Sequence, residues 1–98
     1  MQLDLDRLDI HMADDPRPLS MQIDDRLLLS VLLRETLLPY VPAIAEGWTF
    51  RAITDAGGID IAATGGFNGS PWLLVEDIEV GRFFSGDTLR IGARPTTR

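Results

Sequence analysis

The stretch IDDRLLLSVLL, residues 23–33, contains the change from strand to helix on which the fold prediction rests. Asp24 and Asp25 follow an alternating apolar run, and either carboxylate can accept hydrogen bonds from the unpaired amides of a first helical turn. Leucines then continue to Leu38. Pro39 has no amide hydrogen and disfavours helical geometry at the residue before it. The pattern therefore predicts a helix that begins after the two aspartates and ends near Leu38.

The apolar surface of this predicted helix extends around most of its circumference, which is wider than one sheet needs to cover. Burial beneath the segment PYVPAIAEGW, residues 39–48, would explain the width. A partner groove or a homodimer through the Leu-rich helix is the alternative.

Residues 2–12 and 19–23 alternate between apolar and polar side chains, which is typical of two strands of a hairpin. The alternation changes phase at Asp6 and Arg7, and one extra residue in a β-bulge would restore the apolar side chains to the core face. Under this interpretation the polar side chains of the first strand all face water: Asp4, Asp6, Asp9 and His11.

The second half of the chain has the pattern of further strands. Residues 48–54 and 59–64 flank the turn sequence DAGG, residues 65–71 read as a loop, and residues 72–80 and 88–91 supply the remaining strand-like material. The predicted fold class is α+β, in the order ββαβββ, with four to five strands in a mixed sheet on one main helix. We expect a single domain over residues 1–91 and a flexible tail over residues 92–98.

This pattern resembles the ubiquitin-like β-grasp family, through IDDRLLLSVLL and through SGDTLRI, residues 85–91, which is similar to the turn into the last strand of that family. Bacterial members linked to type VII secretion and sulfur-carrier members are the most similar in style. The resemblance implies a hairpin, a helix and a returning mixed sheet around one core. Family members that are conjugated end in Gly-Gly, whereas this chain ends in ARPTTR, so conjugation is not expected unless the tail is trimmed.

Composition limits the classes of function. The 98 residues carry a net charge of −6, contain neither Cys nor Lys, and place seven aspartates in the first 25 positions. Nucleic acids and anionic membranes are poor partners for such a surface, and a protein with a basic surface is a better one. No signal-peptide pattern or membrane-length apolar run is present, so we expect a cytoplasmic protein.

The sequence shows no pattern for metal, cofactor or catalytic chemistry. An EF-hand numbered from Asp4 lacks the required Gly and Glu, zinc and iron sites need more than one His, and a phosphate loop needs a Lys. Paired carboxylates in WLLVEDIEV read as polar side chains of a half-exposed segment. An enzyme that uses Asp9 and His11 remains a third alternative, and the prediction is no catalytic residue, no metal and no cofactor.

Protein binding is the better supported prediction. Aspartates of the first strand and aromatic residues in or beside Gly- and Ser-rich loops form the predicted partner-binding set: Asp4, Asp6, Asp9, Phe67, Trp72, Phe83 and Phe84. Trp48 and Phe50 are expected in the core instead.

Two functions fit these features. The first is a non-enzymatic, ubiquitin-like adaptor in a bacterial complex. The second is a small acidic inhibitor, either a toxin immunity protein or a phage anti-defence protein, which occupies a basic or nucleic-acid-binding site on its partner.

Overall fold

The computed structural model describes residues 1–8, 18–54, 57–84 and 86–96. One long helix, α1, covers residues 29–40 in three contiguous segments: α-helical Leu29–Leu32, π-helical Leu33–Leu37 and α-helical Leu38–Tyr40. The strands and the remaining helical turns are β1 Gln2–Arg7, β2 Leu19–Gln22, β3 Trp48–Thr54, β4 Gly57–Ala63, a 3-10 turn Gly66–Asn68, β5 Trp72–Leu73, α2 Val80–Phe83 and β6 Thr88–Pro95.

The described strands form one mixed sheet in the order β2-β1-β6-β3-β4-β5. β1 runs parallel to β6, and all other neighbouring pairs are antiparallel. The predicted α+β class with one mixed sheet and one main helix is confirmed. The sheet has six strands rather than four to five. Of the segment expected to be strand-like, residues 72–80, only Trp72 and Leu73 form a strand, beside Ala62 and Ala63, and a helix begins at Val80.

The core lies between α1 and one face of the sheet. Strand alternation brings apolar side chains of the three central strands to this face, where they meet the leucines of α1. Trp48 and Phe50 have no exposed surface, as predicted. Burial of each large side chain stabilises the fold by about 1.5–3 kcal/mol. The fully buried core residues also include Leu3, Leu5, Leu29, Leu32, Leu37, Ile61, Val80 and Ile91.

Strand β1 is regular over its described length, so the predicted bulge at Asp6 and Arg7 is absent from Gln2–Arg7. Its pairing with β6 runs without a register shift from Gln2 to Arg7. Arg7 takes the next position on the core side, with its guanidinium carbon 5.2 Å from the centre of the Trp48 ring. Leu8 consequently falls on the opposite side, where its side chain lies against Gly92.

The helix begins later and ends later than predicted. Its N-cap is Leu28, and no side chain of the cap residue bonds to the first turn. Beyond the predicted end at Leu38, the chain continues through Pro39 to Tyr40. The preceding π turn permits this. The Leu38 amide donates to the carbonyl of Leu33, so the helical hydrogen bonds have already changed to the wider π spacing when the chain reaches Pro39, which has no amide hydrogen.

The segment after α1 closes one end of the core. Val41 is buried and Ile44 packs against the core cluster, while the Trp48 Nε1 group donates to the carbonyl of Pro42 at 2.7 Å. This packing uses part of the wide apolar surface of the Leu-rich helix. Leu28, with 41% of its surface exposed, is the most exposed leucine of the helix region.

The last strand extends further than the sequence pattern indicates. β6 continues from Thr88 to Pro95, and Gly92 and Ala93 are buried between β1 and β3. The predicted boundary between residues 91 and 92 therefore falls inside this central strand. Its apolar character is weak there because the buried residues are Gly and Ala, which the pattern assigns to a tail. No helix among the described residues is long and apolar enough to cross a membrane.

Candidate interaction surface

The sheet face that points away from α1 is a regular surface formed by the described strands. The side chains on this face alternate along each strand with those of the core, and we call this side of the sheet the open face. On each strand they are the neighbours of a buried residue, as Asp4 is between Leu3 and Leu5. The charged and large apolar residues of the open face are Asp4, Asp6, Arg51, Ile53, Asp60, Trp72, Leu74, Arg90 and Arg94.

Asp4 and Asp6 form the acidic part of the open face, as the strand pattern predicts. Asp4 Oδ1 accepts hydrogen bonds from Gln2 Nε2 and from Ser20 Oγ, both at 2.8 Å. These bonds lower the pKa of Asp4 below its ordinary value, and the charge of Arg90 adds to the effect. Asp4 therefore stays ionised at neutral pH. Asp6, which is exposed, lies on the same face of the strand. Asp9 and His11 lie outside the described residues.

The centre of the open face is basic. The Asp60 carboxylate accepts hydrogen bonds from Arg51 Nη1 at 3.2 Å and from Arg94 Nη2 at 3.4 Å. Arg51 also donates a hydrogen bond to the carbonyl of Gly58. Arg90 lies between Asp4 on β1 and Ile53 on β3. Sequence reasoning missed this arrangement because the arginines are far from the aspartates along the chain.

The open face is consequently balanced in charge rather than uniformly acidic. Among the described residues it carries three carboxylates and three guanidinium groups, namely Asp4, Asp6, Asp60, Arg51, Arg90 and Arg94. A partner for this face needs both signs of charge in a defined pattern, which favours specificity over general attraction.

A hollow of about 300 Å³ lies over β1, β6 and β3. Asp4, Asp6 and Ser20 line one side of the hollow, Ile53 lines the other, and Arg90 lies between them. Ile53, the second-last residue of β3, has 40% of its surface exposed although it pairs with strands on both sides. The hollow thus offers an apolar contact with charged groups around it.

Two of the predicted aromatic residues are exposed, Trp72 at the β5 edge of the sheet and Phe67 in the turn Gly66–Asn68, which contacts the segment after α1. Trp72 and Leu74 flank Leu73, which packs against the core, so both point away from α1 and each is 48% exposed. Phe67 is 71% exposed and holds a left-handed backbone conformation with φ 53°. Such a conformation is strained for a bulky residue, and neighbouring contacts maintain it. One of them is the hydrogen bond from Asn68 Nδ2 to the carbonyl of Val41.

Phe83 and Phe84 do not join this surface. Their ring centres are 4.5 Å apart, and both side chains are partly buried against the core. They follow α2, which is held beside the start of α1 by hydrogen bonds from Val80 to Leu27 and from Gly81 to Asp25. The structure therefore brings Asp4, Asp6 and Trp72 onto one face and separates the two phenylalanines from them.

A second charged region lies at the N-terminal end of α1. Asp77 Oδ1 accepts the backbone amide of Ser30 at 3.0 Å, and this residue, rather than Asp24 or Asp25, caps the helix. The hydrogen bonds from the side chain and backbone of Ser30 lower the pKa of Asp77. The contact joins two acidic segments into what we call the acidic end: Asp24, Asp25, Glu76, Asp77 and Glu79. Nothing in the local sequence signals such a long-range cap.

The described residues contain no group of three or more His, Cys, Asp or Glu side chains that could hold a metal ion. Asp60 is shared between two arginines and Asp77 is used by the helix, so these carboxylates have structural partners. Comparisons of the chain with protein-family models, with curated proteins and with solved structures found no match.

Proposed function

We propose that this chain is a non-enzymatic, ubiquitin-like interaction module of the β-grasp type, which acts as an adaptor by binding another protein through the open face. The order β2-β1-β6-β3-β4, with parallel β1 and β6 at the centre and α1 between β2 and β3, supports the β-grasp assignment. β5 is an addition at the edge. We further propose that the chain binds neither nucleic acids nor membranes.

The observation that carries the proposal is the hollow around Ile53. A half-exposed aliphatic side chain surrounded by charged groups has the anatomy of an interface hot spot, in which a desolvated centre is enclosed by a polar rim. A basic side chain of the partner would face Asp4 and Asp6, and a carboxylate would face Arg90. Trp72 would add contact area at the far edge.

The matched pair Ile53 and Ile59 tests this proposal. Both are isoleucines of the β3–β4 hairpin with similar exposure, 40% and 47%, but Ile59 pairs with buried Ala52 and so lies on the side of the sheet that faces α1. The partner is first captured from native lysate with the tagged wild-type domain and identified by mass spectrometry. Its affinity for purified variants is then measured by calorimetry.

We expect Ile53→Asp to weaken this complex by about tenfold or more, and Ile59→Asp to leave the affinity within about twofold. Asp6→Arg should also weaken the complex, mainly through the association rate. Equal losses for Ile53→Asp and Ile59→Asp, with both variants folded, would contradict docking through the open face.

The acidic end favours a second candidate function, the inhibitor. Five carboxylates gather there against Arg26, Arg34 and Arg82, so this end has an excess of negative charge and is suited to a basic site on a partner. Charge reversal at Asp24 and Glu76 would then abolish binding, and binding would weaken steeply with salt, while Ile53→Asp would have little effect. The two functions therefore predict opposite outcomes for the same set of variants.

A further inference from the structure

The outer edge of β2 is the longer of the two edges of the described sheet. β5, at the other edge, has two residues, whereas β2 has four, with the sequence LSMQ. Edge strands are usually protected by charged residues, prolines or bulges, and Leu19–Gln22 contains no charge and no proline. In a chain with a net charge of −6, this neutral edge is a suitable place for another strand to pair.

The hydrogen bonds to β1 determine which backbone groups of β2 point outward. The Ile23 amide donates to the carbonyl of Met1 at 2.9 Å, and the amino group of Met1 donates to the carbonyl of Ile23 at 3.2 Å. Antiparallel strands alternate between residues that exchange such bonds and residues that do not. Met21 and Leu19 therefore face β1 with their backbone groups, and Ser20 and Gln22 direct theirs to the outer edge.

We propose that the chain forms a symmetric dimer in which β2 pairs antiparallel with β2 of a second copy, with the two-fold axis at Met21. In this register Ser20 of each copy lies opposite Gln22 of the other, so the outward amides and carbonyls of both residues are paired. A register centred on Ser20 would instead place Gln22 opposite Pro18, which has no amide hydrogen to donate. The sequence thus disfavours the register centred on Ser20 relative to the one centred on Met21.

The side chains of β2 support the same arrangement. Leu19 is 39% exposed on the side of the sheet that faces α1, and Ile23 on this side is partly buried. In the proposed register Leu19 of one copy lies opposite Ile23 of the other, and the two Met21 side chains meet at the axis. Pairing would therefore bury apolar surface next to the existing core and extend the described sheet across both copies.

Net charge determines how this dimer responds to salt. Two copies at −6 each repel one another, while the paired strands themselves are neutral. Added salt screens the repulsion, so dimerisation should become stronger as ionic strength rises. The dimer uses backbone groups at the edge of β2, whereas the proposed adaptor function uses side chains of the open face. Ser20 belongs to both, because it also lines the hollow, but Ile53 and Arg90 lie away from the dimer edge.

The absence of cysteine allows a direct test by single-cysteine cross-linking. Met21 faces its own copy across the axis in a pair without backbone hydrogen bonds, where Cβ atoms are close enough for a disulfide. Met21→Cys should form a disulfide-linked dimer about tenfold faster than Thr88→Cys, an exposed position at the start of β6. Faster cross-linking of Ser20→Cys than of Met21→Cys would overturn the register.

Gln22→Pro provides a second test that leaves the contacts with β1 in place. The proline removes an outward amide only, which an edge strand tolerates. Sedimentation in low and high salt should show a wild-type dimer that strengthens with salt and a folded, monomeric Gln22→Pro variant. A wild-type monomer at all concentrations and in both salt conditions would overturn the proposal, as would a dimer that Gln22→Pro does not weaken.

Discussion

Asp77 shows how one side chain can join distant parts of this chain. Its carboxylate accepts the amide of Ser30 at the start of α1, although the two residues are 47 positions apart. The backbone reinforces this contact, since the Leu29 amide donates to the carbonyl of Ile78 and the Val80 amide to that of Leu27. A helix whose own N-cap is a leucine thus obtains its capping group from a loop near the end of the chain.

The pKa of Asp77 gives a prediction at this scale. Because the folded state lowers this pKa from its ordinary value of 3.8, the stabilisation is fully present above pH 3.8 and is lost as the pH falls through the folded-state pKa. Asp77→Ala should therefore reduce the melting temperature at pH 7, and the difference from wild type should shrink at more acid pH. Thermal unfolding followed by circular dichroism measures this effect.

Glu76→Ala is the control for that measurement. Glu76 is the adjacent exposed carboxylate, and it makes no side-chain hydrogen bond within the described part of the chain. We expect its melting temperature to match that of wild type at neutral pH. A loss equal to that of Asp77→Ala would mean that general charge, rather than the cap, is responsible.

At the scale of elements, α1 shows how a continuous run of leucines acquires one buried side. Leu29, Leu32, Leu33 and Leu37 are buried, and Leu28 is exposed. The spacing of these residues was enough to predict a helix here. The run itself contains little contrast between apolar and polar positions, so which leucines enter the core depends on the sheet and on the segment that follows the helix.

Leu32 and Leu28 provide a matched pair of substitutions that tests this orientation. Leu32 has no exposed surface, so Leu32→Ala should lower the free energy of unfolding by about 2–5 kcal/mol. Leu28→Ala removes the same atoms from a residue that is 41% exposed and should cost about 1 kcal/mol or less. Urea unfolding of the two variants measures the difference, and similar losses would contradict the orientation of the helix.

At the scale of the whole molecule, β6 connects two parts of the sheet. β2 and β1 lie on one side of β6, and β3, β4 and β5 lie on the other, so β6 makes the contact between these groups. Ile91 and Ala93 are almost fully buried there. The stability of the sheet therefore depends on β6, which is longer than the sequence pattern predicts.

A chain that ends at Ile91 tests the importance of the rest of β6. The truncation removes residues that pair with both β1 and β3, including Gly92 opposite Asp6 and Arg51. We expect the truncated chain to lose its cooperative thermal transition and the dispersion of its amide NMR signals. If the expected flexible tail over residues 92–98 is right, the truncated chain will instead melt at the temperature of the full chain.

The sequence was sufficient for the main helix, the antiparallel β1–β2 and β3–β4 hairpins and the burial of Trp48 and Phe50, since these depend on local periodicity and turn residues. It did not predict the short helix α2, which begins inside the segment expected to be strand-like. It was insufficient for features that join distant segments. The balance of charge on the open face needs Arg90 beside Asp4, and the helix cap needs Asp77 beside Ser30. The separation of Phe83 and Phe84 from Trp72 likewise depends on the packing of α2.

The central position of β6 also has a kinetic consequence. Gln2 lies opposite Thr88 in the parallel β1–β6 pair, so the middle of the sheet can close only after most of the chain has been brought into a loop. Loop closure costs entropy before any contact compensates for it, and proteins dominated by such distant pairings fold slowly for their size. The two hairpins can form early from local contacts. We therefore expect the arrival of β6 between them to set the folding rate.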